Sequence, residues 1–237
     1  MAPVTPDAAA TPDAAATPTD SSRIEMPVAD LGRLLYATLN TLVAPRPIAW
    51  VSTVDAAGRA NLAPHSYFTV SSAEPPVVQF TSIGRKDSLR NIETTGEFVV
   101  NVVPWRLREV VNLTSVDAPP DVDEFAVAGM TPQPSRTVAP ARVAQSPAAM
   151  ECRLIEVRSF GEGPRSGHVV FGEVLHIAVD AAVMAADGLP DLTLLDSAAR
   201  CDRMHWSRLG TLEELIRPRW SDLSSHGRSS HGLSSHG

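Results

Sequence analysis

Residues 46–68 read RPIAWVSTVDAAGRANLAPHSYF and contain two short β-rich runs separated by a turn signal. In the first run, Ile48, Trp50 and Ser52 fall at every second position, so they lie on one face of an extended strand. Residues 55–58, DAAG, have the composition of a hairpin loop. This stretch therefore predicts two neighbouring strands, and similar runs recur along the chain.

Turn signals such as EPP (74–76) and GEGP (161–164), rather than regular helices, separate the β-rich runs. That spacing favours a mainly β fold, an antiparallel barrel, over a parallel α/β sheet. The runs with the length of strands or bent strand pairs are Ile48–Val54, Asn61–Val70, Val77–Thr81, Phe98–Val103, Met150–Phe160 and His168–Val179.

Helices are expected to be few, short and peripheral. Ser88–Thr95 has Asp87 at the N-cap position and Gly96 just past its end, which predicts a capped helix of about two turns. The other segments with a helical pattern are Leu31–Leu42, Trp105–Ser115 and Thr211–Ile216.

The sequence predicts one folded domain between two low-complexity tails. Residues 1–23 are rich in Ala, Pro and Thr and have no large apolar cluster to bury, so we expect them to be disordered. Residues 24–220 form the domain. Residues 221–237 repeat SSHG, and because no ordered scaffold is predicted for these histidines, no metal site is assigned to them.

Charge and apolar pattern exclude several classes of protein. A formal net charge of −7 argues against nucleic-acid binding, because phosphate recognition needs a clustered basic face. No run of about 18 apolar residues suggests a membrane span, and the N-terminus lacks a signal-peptide pattern, so we expect a cytoplasmic protein. Cys152 and Cys201 lie far apart and are expected to be free thiols.

The segment SIGRKDS (82–88) has the parts of an anion-binding site. It leaves a strand, passes Gly84, presents two cations and enters a helix whose first N–H groups are unpaired. Lys86 is the only lysine among the 20 basic residues. The alternative is a plain surface loop in which Asp87 caps the helix, and Asp87 itself opposes an anion there.

Residues 61–68 interrupt a strand-like run with Pro64, which lacks the N–H that a strand ladder needs. We expect this stretch at an edge or bulge, where it either faces a planar heterocycle or presents His65 and Ser66 to water. Upstream, Arg46 lies between two prolines before a strand, and core packing alone explains Trp50.

Five segments in register resemble the flavin reductase-like family of FMN-binding split barrels, in the branch that includes flavoredoxin and the reductase component of nitrilotriacetate monooxygenase. The resemblance covers about 170 of the 237 residues and continues weakly to residue 200. The segments are RPIAWVST (46–53), Gly58 with NLAPHSYF (61–68), PPVVQFTS (75–82), RKDSLRNI (85–92) and TGEFVVNVV (95–103).

The resemblance implies a split β-barrel that works as a homodimer and binds FMN in a groove completed by the second subunit. It implies no metal. The residues that it assigns to the isoalloxazine ring and ribityl chain are Ser52, Thr53, Asn61, Ala63, His65 and Ser66. The residues that it assigns to the phosphate are Ser82, Arg85, Lys86 and Ser88, and the cofactor-binding set is completed by Arg46, Trp50 and Arg200.

The activity that the resemblance implies is NAD(P)H-dependent reduction of FMN by hydride transfer to flavin N5. Reduced flavin or electrons would then reach a partner, such as a flavin-dependent monooxygenase. Residues 166–168, SGH, are similar to a Gly-Asp-His element of some relatives, so His168 is a candidate for positioning the nicotinamide; the alternative is a strand-end histidine in solvent. No Gly-x-Gly-x-x-Gly follows a strand, so NAD(P)H is expected in the flavin groove.

One stretch departs from the family pattern. Where relatives have Ala-Arg-Leu-Gly-Gly and then a tyrosine, this chain has ARCDRMHW (199–206), with bulky and charged residues in place of the glycines. Two alternatives therefore stay open: a flavoenzyme of the same fold that retains FMN and acts on an organic substrate, and a non-catalytic FMN-binding electron carrier.

Overall fold

The computed structural model describes residues 23–119 and 122–220, so the two predicted tails lie almost wholly outside the described residues. Strands dominate the described part, and every strand pair is antiparallel. The strands are β1 (Arg46–Pro47), β2 (Ala49–Val54), β3 (Ala60–His65), β4 (Phe68–Ser72), β5 (Val77–Ile83), β6 (Glu97–Val102), β7 (Pro132–Gln133), β8 (Arg142–Val143), β9 (Ala148–Phe160), β10 (Gly167–Val179), β11 (Ala198–Arg200) and β12 (Trp206–Arg208).

Seven strands form one sheet in the order β3-β2-β6-β9-β10-β5-β4. Its two edge strands, β3 and β4, are consecutive in the chain and are joined by Ser66 and Tyr67, so the sheet curls into a barrel that stays split at the edge of β3. Next to this split the N–H of Thr81 donates to the carbonyl of Tyr67 (2.9 Å). Among the described strands, β3 forms a ladder only with β2, so its outer edge stays open.

Strand β2 separates two apolar cores because its side chains alternate between its faces. Ala49 and Val51 point into the barrel and pack with residues such as Phe80. Ile48 and Trp50 point the other way, into a second core below the barrel wall. The shared face of Ile48 and Trp50 confirms the prediction from the sequence.

The long predicted run Asn61–Val70 is two strands rather than one, because the chain leaves the sheet at Ser66 and Tyr67. The other predicted strands are present with shifts of one or two residues at their ends. The described helices are α1 (Val28–Leu31), α2 (Leu35–Leu42), α3 (Asp87–Thr95), α4 (Arg108–Leu113), α5 (Glu124–Val127) and α6 (Leu192–Leu195).

Three helix predictions need correction. Leu31–Leu42 is divided by a 3₁₀ turn at Gly32–Leu34, where Gly32 has a positive φ of 48°. Thr211–Ile216 has no regular structure and is exposed, so it has no packing surface to stabilise a helix. Helix α3 begins at Asp87 itself, and its N-cap position, Lys86, makes no side-chain cap.

The described part of the chain contains no helix with the length and apolar character needed to cross a membrane. Within residues 23–119 and 122–220, no three or more His, Cys, Asp or Glu side chains cluster in a way that could hold a metal ion.

Gly172 on β10 offers a test of the barrel packing. A Cβ at this position would lie 2.3 Å from the ring of Phe98, whereas a Cβ at Gly167 on the same strand would make an ordinary contact of 3.5 Å with Thr81. We expect Gly172→Ala to lower the free energy of unfolding by about 1–3 kcal/mol, because the core must overpack. Denaturant unfolding measures this, with Gly167→Ala as the milder control; equal losses would contradict the packing.

Candidate functional site

An open groove of about 450 Å³ lies along the outer edge of β3. Strand β3 is available there because its ladder runs only to β2, and the start of α3 and the loop after α4 form the other walls. We call this cavity the β3 groove. Its lining includes Tyr36, Asn61, Ala63, Pro64, His65, Ser66, Tyr67, Thr81, Ile83, Arg85, Lys86, Asp87, Ser88, Arg90, Thr114, Ser115, Val116, Asp117, Ala118 and Glu124.

His65 lies at the end of β3 and is a buried polar residue of the groove wall. Its ring packs against Phe80, with 4.5 Å between centroids. Burial lowers the pKa of His65 to about 4, against an opposing hydrogen bond to the Thr81 backbone. Because that contact favours the protonated ring, it involves the carbonyl of Thr81. Nε2 is buried and has no hydrogen-bond partner among the described residues, so it is left for a ligand.

The loop at residues 84–86, here the cationic loop, borders the same groove. Gly84 has a φ of 76°, and a Cβ there would lie 2.9 Å from the carbonyl oxygen of Pro164, so this close approach requires glycine. The Gly84 N–H donates to the carbonyl of Ser166 (2.8 Å). These two contacts fix the loop against the β9–β10 hairpin.

Each cation at the start of α3 has an acidic partner. Lys86 Nζ is 2.7 Å from Asp117 Oδ1, and both side chains are exposed. Arg85, in the loop before α3, pairs with Glu93 of α3. Asp87, predicted as the helix cap, instead accepts from Arg90, because α3 begins one residue earlier than the sequence indicated. An anion that enters the groove must therefore compete with Asp117 for Lys86.

A buried network connects β3 to α3 beneath the groove. Asn61 Nδ2 donates to Ser88 Oγ (3.1 Å) and to Thr53 Oγ1 (3.3 Å), and Asn91 Nδ2 also reaches Thr53 Oγ1 (3.0 Å). Asn61 and Ser88 line the groove, whereas Thr53 supports them from behind. The predicted position of Thr53 is thus next to the site rather than in its wall.

Glu124 is a groove residue that the sequence analysis missed. It is buried, and its Oε2 accepts from the N–H of Leu62 (3.1 Å). Burial raises the pKa of Glu124, and the nearby Asp87 and Asp123 raise it further. The only local signal was Asp123, which caps the short helix α5 and so brings Glu124 to the wall.

Besides Thr53 and Arg200, four predicted cofactor contacts lie outside the groove lining, each for a local reason. Arg46 is buried and donates to main-chain carbonyls, including that of Cys201 (2.8 Å). Trp50 is in the second core and donates to Thr114 Oγ1 (2.9 Å). Ser52, on the same face of β2, donates to the carbonyl of Ala141. Ser82 is buried and donates to the carbonyl of Gly84 (2.9 Å).

His168 is neither exposed nor in the groove lining. It is buried on β10, and its two ring nitrogens contact the hydroxyls of Ser159 (2.8 Å) and Ser166 (2.9 Å). The alternative of a strand-end histidine in solvent is therefore wrong. Its role with a nicotinamide stays a prediction, and both nitrogens already have partners.

Arg200 lies beside a smaller cavity that adjoins the β3 groove, at the stretch where the sequence departs from the family pattern. That stretch is ordered: β11 pairs with β12, and Arg200 is opposite Trp206. The Arg200 guanidinium lies 4.9 Å from the centre of the Trp206 ring. The bulky residues therefore form a β-hairpin next to the groove.

The sequence model of one protein family, described as "Flavin reductase like domain", matches residues 42–199. The match includes β3, the cationic loop and α3. The chain belongs to this family. The resemblance stated from the sequence and the split-barrel fold are both confirmed for this flavin reductase-like protein.

The chain is similar to three proteins that further describe its relationship to the family. An uncharacterized protein of Halalkalibacterium halodurans is 36% identical over 191 residues, which is 77% of this chain and 90% of that one. Nitrilotriacetate monooxygenase component B from Bacillus cereus is 27% identical, with a TM-score of 0.73 over 86% of this chain and 100% of that one. The 2-nitrobenzoate 2-nitroreductase of Pseudomonas fluorescens is 26% identical, with a TM-score of 0.76 over 83% and 98%.

The lowered pKa of His65 predicts a pH dependence of stability in the flavin-free protein. The pKa is 6.5 for an ordinary histidine and about 4 in the folded chain, so as pH falls between these values only the unfolded chain takes up the proton. The free energy of unfolding should then fall by up to about 1.4 kcal/mol per pH unit relative to a His65→Asn variant. Denaturant unfolding of both proteins measures this; parallel curves would show that His65 is not held neutral.

Proposed function

We propose that this protein reduces FMN with NAD(P)H and passes reduced flavin or electrons to a partner oxygenase. The observation that carries the proposal is the buried, unpartnered Nε2 of His65 in the same groove as the cationic loop. A ligand that binds at both places has a planar polar ring that donates a hydrogen bond to His65 Nε2, and an anionic tail that meets the cationic loop. FMN has both parts, and so the residues of the groove fit it.

The proposed contacts follow the two ends of the groove. His65 and Ser66, with Asn61 and Ala63, are on the β3 side, where the ring and ribityl chain would bind. Arg85, Lys86 and Ser88 are on the α3 side, where the first helical N–H groups have no side-chain cap and would help to hold a phosphate.

FMN, when bound, supplies the redox chemistry by accepting a hydride from NAD(P)H at N5. The residues of the chain have simpler tasks: they hold the ring in position and limit its contact with water. Neutral His65 accepts a hydrogen bond without exchanging a proton near neutral pH, because its pKa is about 4. No carboxylate pair or nucleophile is required.

The partner and the assembly are part of the same proposal. The similar Bacillus cereus protein is named as a component of a monooxygenase, which supports a monooxygenase as the acceptor. Exposed apolar side chains on or next to α2, beside the groove, support a homodimer: Tyr36, Leu39, Leu42 and Val43. The cytoplasm is the location that we propose for it. Light scattering of the FMN-loaded protein measures the assembly, and a monomer would contradict the dimer.

A second candidate is a flavoenzyme that retains FMN and acts on an organic substrate. The similarity to a protein named 2-nitrobenzoate 2-nitroreductase favours it, as does the ordered hairpin beside the groove. The two candidates differ in whether flavin leaves the protein during turnover.

Reduction of bound flavin tests the activity. We expect anaerobic mixing of FMN-loaded protein with NADH or NADPH to bleach the absorbance of oxidised flavin, and added free FMN to sustain nucleotide oxidation. Bleaching without turnover of added FMN would favour the second candidate. A flavin that stays oxidised with both nucleotides would contradict reductase activity and favour an electron carrier.

Substitution of Lys86 tests the phosphate assignment. We expect Lys86→Ala to weaken FMN binding at least tenfold, because a charge-assisted contact is lost. Asp117→Asn should instead strengthen binding, since Asp117 pairs with Lys86 in the structure. Fluorescence titration measures both, with Arg153→Ala as a control that removes an exposed ion pair, to Glu173, remote from the groove. Unchanged affinity in Lys86→Ala would reject the assignment.

A further inference from the structure

The cavity next to the β3 groove has a composition of its own. It has a volume of about 160 Å³ and shares Pro64, Ser66 and Ser115 with the groove. We call it the Trp206 cavity, since Trp206 and Arg200 line it and do not line the β3 groove. A molecule bound there lies directly beside whatever occupies the groove.

The walls of the Trp206 cavity combine apolar surface with polar groups at its rim. Ile48, Pro64 and Trp206 supply apolar and aromatic surface, and Asn112 and Ser66 supply hydrogen-bonding groups. The volume is well below the roughly 300–1,000 Å³ of sites for drug-sized ligands, so it suits a single-ring molecule.

Arg200 gives the cavity its charge. Among the described residues that line it, Arg200 is the charged one, and none is a carboxylate. Burial lowers the pKa of Arg200, and the nearby Arg46 lowers it further, whereas Tyr36 and Asp202 raise it. Arg200 nevertheless stays charged, because an arginine does not lose its proton in proteins. A partly buried cation without a lining carboxylate favours an anionic ligand.

The hairpin holds Arg200 in position before any ligand arrives. The β11–β12 pairing sets Arg200 opposite Trp206, and the guanidinium also donates to the carbonyl of Arg203 (2.7 Å). The turn between them is fixed by Asp202, which accepts from the N–H groups of Met204 and His205 (2.8 Å each). One bond to Arg203 leaves most of the five N–H donors for a carboxylate.

We propose that the Trp206 cavity binds a single-ring aromatic carboxylate, with the carboxylate on Arg200 and the ring among Ile48, Pro64 and Trp206. This assigns Arg200 to an organic acid rather than to FMN. The binding of the acid does not depend on the proposed function, but one consequence does. If FMN occupies the β3 groove, the bound acid lies beside the flavin and is an organic molecule on which the flavin could act.

Calorimetry with benzoate on the flavin-free protein tests the binding itself. We expect benzoate to bind, and neutral benzamide to bind at least tenfold more weakly, because it lacks the charge that Arg200 recognises. We expect Arg200→Gln to weaken benzoate binding at least tenfold. Arg203 is an exposed arginine on the same hairpin, so Arg203→Gln is the matched control. This variant should bind benzoate with the affinity of the wild type.

Several outcomes would overturn the proposal. They are absence of benzoate binding, equal affinity for benzamide, and unchanged benzoate affinity in Arg200→Gln. If Arg200→Gln instead weakens FMN or NADH binding and not benzoate binding, Arg200 belongs to the cofactor or the nucleotide. FMN is titrated against the wild type in a separate experiment. If the wild type binds benzoate but not FMN, the proposed function is contradicted and the proposal for the Trp206 cavity is not.

Discussion

Strand β2 buries both of its faces, and this fixes the strand beside which the β3 groove lies. Ala49 and Val51 fill the barrel, while Ile48 and Trp50 fill the second core, so neither face can be turned to solvent. Its partner β3 lies at the edge of the sheet, where the chain turns away after His65. The groove is the space that remains outside this edge, and its polar wall is a direct result of how the barrel closes.

Much of the fold could be predicted because the strands carry their own local signal. Alternation in Ile48–Val54 and turn signals such as GEGP (161–164) depend on neighbouring residues alone, and the structure has strands where these patterns indicate them. The predictions from the sequence are wrong where contacts between distant segments determine the structure or surroundings of a residue. Ser52 has the same strand pattern as Trp50, but whether that face meets a ligand or the carbonyl of Ala141 depends on a segment about ninety residues away. Thr211–Ile216 has a helical pattern but no surface against which to pack.

In the candidate site, too, the residues with a local sequence signal could be predicted and those brought in by distant contacts could not. Residues that are close in sequence line one groove: Asn61 and Ala63 to Ser66 from β3 and its end, and Arg85 to Ser88 from the start of α3 and the loop before it. Asp117 and Glu124 gave no such signal, since they reach the groove from a loop and a short helix after α4. Family resemblance pointed to Arg85 and Lys86, which line the groove, but it could not reveal the acidic partner of Lys86.

The ion pairs at the start of α3 have a kinetic meaning. Lys86, Arg85 and Arg90 are each neutralised by a neighbouring carboxylate, and the chain as a whole has a net charge of −7. A phosphate-bearing ligand that approaches from a distance therefore meets little attractive field, and electrostatic steering contributes little to its encounter rate. In the FMN complex that we propose, selectivity among anions would arise after contact, from how slowly the correct ligand dissociates once it has displaced Asp117.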